Sequence, residues 1–161
     1  MTRAPIRRDA SVTIAGEGNV QLYDADILTW SERQAALLRR RAAGELVNDA
    51  EIDWPNVAEE IEDVGSNRLH SVQSLLSQAL RHILKAEAWP LSRDAPSWRA
   101  DAIDFRQQAR RRFVPSMRDK IDVADLYDDA LKALPETVDG QPPLPIQREV
   151  PTLDELLSRE S

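Results

Sequence analysis

Along most of this 161-residue chain, apolar positions recur at helical rather than strand intervals. Asp24 or Asp26 can serve as the N-cap of a first helix that runs to about Ala43, with Gly44 as its stop; Ile27, Trp30, Leu37 and Leu38 share its inner face. A second helix is expected from Asp53-Trp54-Pro55, where Asp53 caps and proline is tolerated in the first turn. Its early face is Val57, Ile61 and Val64. After Gly65-Ser66-Asn67 the apolar set becomes Leu69, Val72, Leu76, Ala79, Leu80 and Ile83, and its centre is rotated by roughly 75° from the earlier one. Either the helix ends at Gly65 and another starts, or one long kinked helix meets different neighbours with its two halves; the pattern leans to the long helix.

Trp89-Pro90 and Ala95-Pro96 then impose a non-helical connection, with Trp89 the one tryptophan expected to be exposed. Beyond it, Trp98, Ala102, Phe105, Ala109 and Phe113 fall within about 80° of arc, the clearest helical stripe in the chain, and its aromatic rings should be buried. Pro115-Ser116 restarts a helix from Met117 to about Leu134, with Ile121, Val123, Tyr127, Ala130 and Leu134 available to the core. Thr152 with Glu155 forms a capping box that opens a short apolar helix suited to dock back on the others.

Glycine and proline set the boundaries. Three of five glycines lie outside Tyr23 to Leu134, which leaves that stretch little hairpin chemistry, and five of ten prolines fall from Pro135 onward. The expected architecture is an all-α, single-domain bundle of about five helices with a short C-terminal docking helix. It divides into an irregular arm over 1–21, the bundle over 22–134, a Pro-rich connection over 135–151 and the short helix over 152–160.

Composition narrows the chemistry. The chain has no cysteine, which removes disulfides, thiol nucleophiles, Cys-ligated metals and thiol redox switches. No stretch is apolar enough to span a membrane and no secretory signal is evident, so the expected compartment is the cytoplasm. A net charge of −7 argues against a protein built to coat nucleic acid or anionic lipid. No serine elbow, phosphate-binding glycine loop or dinucleotide fingerprint occurs.

Two charge clusters stand out. Glu45, Asp49, Glu51, Asp53, Glu59, Glu60, Glu62 and Asp63 follow one another without a base. Carboxylates at i and i+3 project from one helical face, so Glu59 with Glu62, and Glu60 with Asp63, could hold a magnesium ion, with Asp101 and Asp104 as a second pair. This faintly resembles the all-α nucleotide pyrophosphohydrolases, which makes a magnesium-dependent phosphohydrolase the alternative function. The plainer reading is a solvated helix turn favoured by the helix dipole. The second cluster, Arg99, Arg106, Arg110, Arg111 and Arg112, gives residues 99–120 a local charge of +4. It could bind phosphate or nucleic acid, but with the aromatic side chains pointing inward it would lack a stacking platform. Pairing of these arginines with the 45–63 acids is the expectation. His70 and His82, 12 residues apart on a helix, cannot share one metal; His82 is expected at the core edge, hydrogen-bonded to a carbonyl or carboxylate.

Trp30, the stretch Asp53-Trp54-Pro-Asn-Val-Ala-Glu-Glu-Ile-Glu62, Gly65, His82-Ile-Leu-Lys85, Pro90, Ser97-Trp98, Arg106, Pro115-Ser116-Met117 and Pro151-Thr-Leu-Asp-Glu-Leu-Leu157 occur in that order. Together they resemble a bacterial family catalogued as a domain of unknown function, the twenty-ninth of its series. Where family members often carry Tyr-x-x-Ala-Arg, this chain has Tyr127-Asp-Asp-Ala130-Leu131. The resemblance implies an α-helical protein with no assigned activity. Glu60, His82, Lys85, Trp98 and Arg106 are the candidates for binding, and Glu59, Glu62 and Asp63 for metal. The function expected from the residues is a non-enzymatic cytoplasmic helical protein that binds an unidentified protein partner, with no resident cofactor.

Overall fold

Asp26 leaves the helical region at φ −152° and its Oδ1 accepts a hydrogen bond from Thr29 N at 3.0 Å, which starts α1 (Ile27–Ala42). Arg39, Arg40 and Arg41 occupy the last turn, where they complement the dipole, and Gly44 at φ 81° ends the element. The computed structural model describes residues 18, 21–146 and 149–159, so the arm expected over 1–21 lies almost wholly outside the described residues. The chain divides into two compact units, an N-terminal one ending at Val64 and a C-terminal one beginning at Gly65.

In the N-terminal unit, a 3₁₀ turn (Asp49–Glu51) leads to α2 (Trp54–Ala88), one helix of 35 residues that continues through Gly65. Of the two alternatives for Gly65, the long helix is the one formed. Trp30, Leu37, Ile52 and Val57 are the buried apolar side chains here, joined by buried Gln34 and Asp53. Tyr23 bonds to Glu60 and Trp30 to Asp53, so α1 runs antiparallel to the start of α2. Ile61 and Val64 lie past the last of these pairings and are exposed, at 68% and 73%, as is Ile27 at 49%. The sequence periodicity places all three on core faces; Ile27 keeps register with Trp30, Gln34 and Leu37 but, as the first residue of α1, is left open at the helix end.

The C-terminal unit contains the main core. Val72, Leu75, Leu76, Leu80 and Leu84 of α2 meet Ala109 of α3 (Ala95–Arg112), Met117 and Ile121, Tyr127 and Ala130 of α4 (Val123–Lys132), and Leu153 and Leu156 of α5 (Leu153–Leu157). On α3 the fully packed line is Ala95, Ala102 and Ala109, while Trp98, Phe105 and Phe113 are only partly buried. Small residues face the core closely and the larger rings lie along the flanks, so the expectation of buried aromatics is corrected. The helix expected from Met117 to Leu134 is also broken in two. Pro115–Lys120 forms a 3₁₀ segment, Ile121 and Asp122 are extended, and the Asp122 side chain accepts from Asp125 N to cap α4. Trp89, expected to be exposed, is buried at 4%, with its indole Nε1 donating to Gln141 O at 2.9 Å. The capping box forms as the sequence indicates, Thr152 Oγ1 accepting from Glu155 N and Thr152 N donating to Glu155 Oε2.

Candidate functional site

Four of the five binding candidates belong to the C-terminal unit, and three of these gather between α2 and α3. One turn separates His82 from Lys85 on α2, and one turn separates Trp98 from Asp101 on α3. The antiparallel course of the two helices sets Lys85 level with Trp98, its Nζ 5.4 Å from the ring centroid, and His82 level with Asp101 and Phe105. His82 and Phe105 have ring centroids 5.4 Å apart with the planes tilted by 43°.

The His82 imidazole is the unusual member. Its Nδ1 is buried and lacks a hydrogen-bond partner, the nearest acid being Asp101 Oδ2 at 3.8 Å, beyond hydrogen-bond reach. The expected carboxylate neighbour is therefore present but the expected hydrogen bond is not. Desolvation lowers the His82 pKa, the Asp101 charge opposes that shift, and the Lys85 charge reinforces it. The sequence marks Asp101 as half of an acidic pair; its place one helical turn from Trp98 is the signal that it faces the same neighbour on α2.

Arg106 lies elsewhere in the same unit. Its Nε donates to Leu156 O at 2.9 Å and its Nη2 to Glu155 O at 2.8 Å, and Arg110 Nη1 reaches Ser158 O at 3.3 Å. A five-residue helix cannot satisfy its own final carbonyls, and these guanidinium groups do so. Arg118 adds an ion pair with Asp154 at 2.9 Å. Thus Arg106 and Arg110, two of the arginines expected to answer the 45–63 acids, donate to the C-terminal helix, and Arg112 donates to Gln108. Asp104 accepts from Gln108 Nε2 at 2.7 Å.

Glu60 is in the N-terminal unit. Its Oε1 accepts from Tyr23 Oη at 2.8 Å, and that bond, with burial and the charges of Glu60, Glu59 and Asp63, pushes the Tyr23 pKa up to about 12. The metal candidates Glu59, Glu62 and Asp63 are exposed on the same helix, and among the described residues no group of three or more His, Asp or Glu side chains converges to hold an ion. The best-connected polar group of this unit is Asp53, which the sequence marks as a helix cap and a member of the acidic run. Asp53 Oδ2 accepts from Trp30 Nε1 at 3.0 Å and Asn56 Nδ2 at 2.8 Å, Asp53 N donates to Gln34 Oε1 at 2.9 Å, and Gln34 Nε2 reaches Glu51 O at 3.2 Å. These bonds tie α1 to the start of α2 and leave Asp53 committed to structure.

Comparison with known proteins agrees with this helical architecture. Among curated proteins, none matches the chain. A solved structure described as an alpha-helical protein of unknown function from Rhodospirillum rubrum superposes with a TM-score of 0.53. Its sequence is 24% identical, and the match covers 86% of this chain and 90% of that one, a likeness that speaks to the fold alone. A family model described as "Domain of unknown function DUF29" matches residues 22–160. The chain therefore belongs to the DUF29 family.

Proposed function

We propose that this protein is a non-enzymatic helical partner-binding protein of the cytoplasm, and that the N-terminal unit is where it takes its partner. The observation that carries this reading is the exposed apolar stripe of α2. Trp54, Ile61 and Val64 are 46%, 68% and 73% exposed, and at helical spacing they lie within about 80° of one another. Glu60 borders the stripe, about 40° of arc from Val64, and residues 21–64 contain eleven acids against four bases. An apolar stripe in so acidic a unit suits a basic amphipathic helix, whose apolar face covers the stripe while its Lys and Arg meet the surrounding acids. Lack of cysteine fits a reducing compartment, and no described helix is long and apolar enough to cross a membrane. The phosphohydrolase and phosphate-binding alternatives have less behind them, because Asp104, Arg106 and Arg110 are each engaged in bonds internal to the C-terminal unit.

The test uses two synthetic helical peptides with the same Leu and Ile stripe, one flanked by Lys and Arg and the other by Glu, titrated calorimetrically into the full chain. The basic peptide should bind, and Ile61→Asp with Val64→Asp should weaken it by about tenfold or more. Both positions are exposed, so the thermal melt should stay unchanged. Equal binding of the acidic peptide, or binding of neither, overturns the reading.

A further inference from the structure

The C-terminal unit also contains an open cleft that involves none of the candidate binding or metal residues. Ala88 to Ser92 form one wall, and residues from Val138 to Leu144 form the other. Three hydrogen bonds join the walls: Trp89 Nε1 to Gln141 O at 2.9 Å, Leu144 N to Ala88 O at 2.9 Å, and Ser92 Oγ to Asp139 Oδ2 at 3.0 Å. The second wall is folded back on itself by Asp139 and Gly140, at φ 52° and 73°, while Val138 and Gln141 exchange both backbone hydrogen bonds. Two successive left-handed residues at the centre of such a pair make a tight hairpin turn, the conformation an Asp-Gly dipeptide favours. The cleft is thus formed in advance of any ligand.

Its volume, about 210 Å³, is smaller than the roughly 300 to 1,000 Å³ of a site for a drug-sized molecule, and it matches a guest the size of one long side chain. Trp89, Pro90, Leu91, Pro142 and Leu144 make the lining largely apolar, and Leu91 and Leu144 are 97% and 53% exposed. Among the lining residues, Asp139 has the one formal charge. Ser92 Oγ accepts from Asp94 N at 3.3 Å and donates to Asp139 Oδ2, which orients the carboxylate and leaves its Oδ1 to accept from a guest. An anion would be repelled here, and a purely apolar guest would desolvate the carboxylate without replacing its lost water.

We propose that this cleft binds an alkyl cation, an aliphatic stem with a guanidinium or ammonium head, the stem lying on Leu91, Pro142 and Leu144 and the head donating to Asp139. Such a group combines an apolar body with a charged tip, as an arginine side chain or a free alkyl amine does. This site is independent of the stripe on α2.

The experiment follows the backbone amides and Trp89 indole N–H of the isotope-labelled full chain by NMR. Three probes are titrated: butylguanidinium, its neutral isostere butylurea, and a blocked Gly-Arg-Gly peptide. Butylguanidinium should give saturable shifts at the Trp89 indole, Leu91, Gly140 and Gln141, and butylurea should bind about tenfold more weakly. Asp139→Asn should remove that preference, since asparagine tolerates the left-handed backbone and the turn survives. Leu144→Ser should weaken both small probes alike. Tighter binding of the peptide than of butylguanidinium identifies the natural source as an arginine of a partner chain, and the reverse identifies a free small ligand. Absence of saturable shifts with either cationic probe, butylurea binding as well as butylguanidinium, or an Asp139→Asn variant that keeps the preference would overturn the proposal.

Discussion

The two units solve the same problem, holding amphipathic helices together, by opposite means. In the C-terminal unit twelve buried side chains, ten from four helices plus Met117 and Ile121 between them, form one apolar cluster, and Leu76, Leu80 and Leu84 are wholly inaccessible. In the N-terminal unit four buried apolar side chains surround a polar knot, in which Asp53 and Gln34 are buried and bonded to each other, to Trp30 and to Glu51. Apolar burial is strong and undirected, whereas a satisfied polar network contributes less net energy but fixes register and angle. The N-terminal unit consequently has apolar surface left over. Among the described residues, Ile27, Leu28, Leu46, Trp54, Ile61 and Val64 are exposed there, against Leu91, Ile103, Leu144 and Val150 in the longer C-terminal unit.

The contrast predicts unequal responses to mutation. Leu80→Ala empties a fully enclosed position and should cost about 2 to 5 kcal/mol, read as a lowered denaturation midpoint for the C-terminal unit. A midpoint that does not move would mean that the apolar cluster is not what holds this unit. A smaller effect is expected at Trp30, where Trp30→Phe keeps an apolar ring but deprives Asp53 of a donor, at about 1 to 3 kcal/mol. Amide exchange separates the two cases. The Asp53 N–H, bonded to Gln34, should exchange faster in Trp30→Phe while those of Leu76 and Leu80 keep their protection. Equal loss of protection in both units would show one cooperative structure and dissolve the contrast.

The same division explains what the sequence made legible. Helical identity, the Asp26 cap, the capping box at Thr152 and Glu155 and the apolar face of α2 beyond Gly65 were all readable, because each depends on spacing within one element. The position of Asp53 at a helix start was readable too, but its real partners, Trp30 and Gln34, come from another helix and left no local signal. Ile61 and Val64 repeat at the same period as Val57, and periodicity does not record where a neighbouring helix stops. Of the candidate residues, Lys85 meets Trp98 and His82 lies one turn away against Phe105, whereas Arg106 serves the carbonyls of α5 and Glu60 holds Tyr23. The Asp139-Gly140 dipeptide was a turn signal in plain view, although nothing in its vicinity indicated that Trp89 would pack against the turn.

The smallest predicted effect tests the contrast at its weakest point, since a polar atom without a partner occurs in the unit built from apolar side chains. The buried polar side chains described in the N-terminal unit, Gln34 and Asp53, are bonded, while His82 Nδ1 is not. Its folded pKa is lowered, chiefly by desolvation, so the folded state binds fewer protons than the unfolded chain between that lowered value and the ordinary histidine value of about 6.5. Stability attributable to neutral His82 is therefore complete above about pH 6.5 and is lost as pH falls through the folded pKa. A quarter of the side chain is exposed, so solvent limits the size of the effect. His82→Gln should flatten this slope in chemical denaturation curves taken from neutral to acidic pH. Asp101→Asn, which removes the charge that raises the His82 pKa, should widen the window to lower pH and steepen the total loss. A wild-type slope that persists in His82→Gln would assign the pH dependence to other groups and leave the orphaned nitrogen without a thermodynamic consequence, whereas its disappearance would tie the slope to the one buried side-chain nitrogen or oxygen without a partner among the described residues.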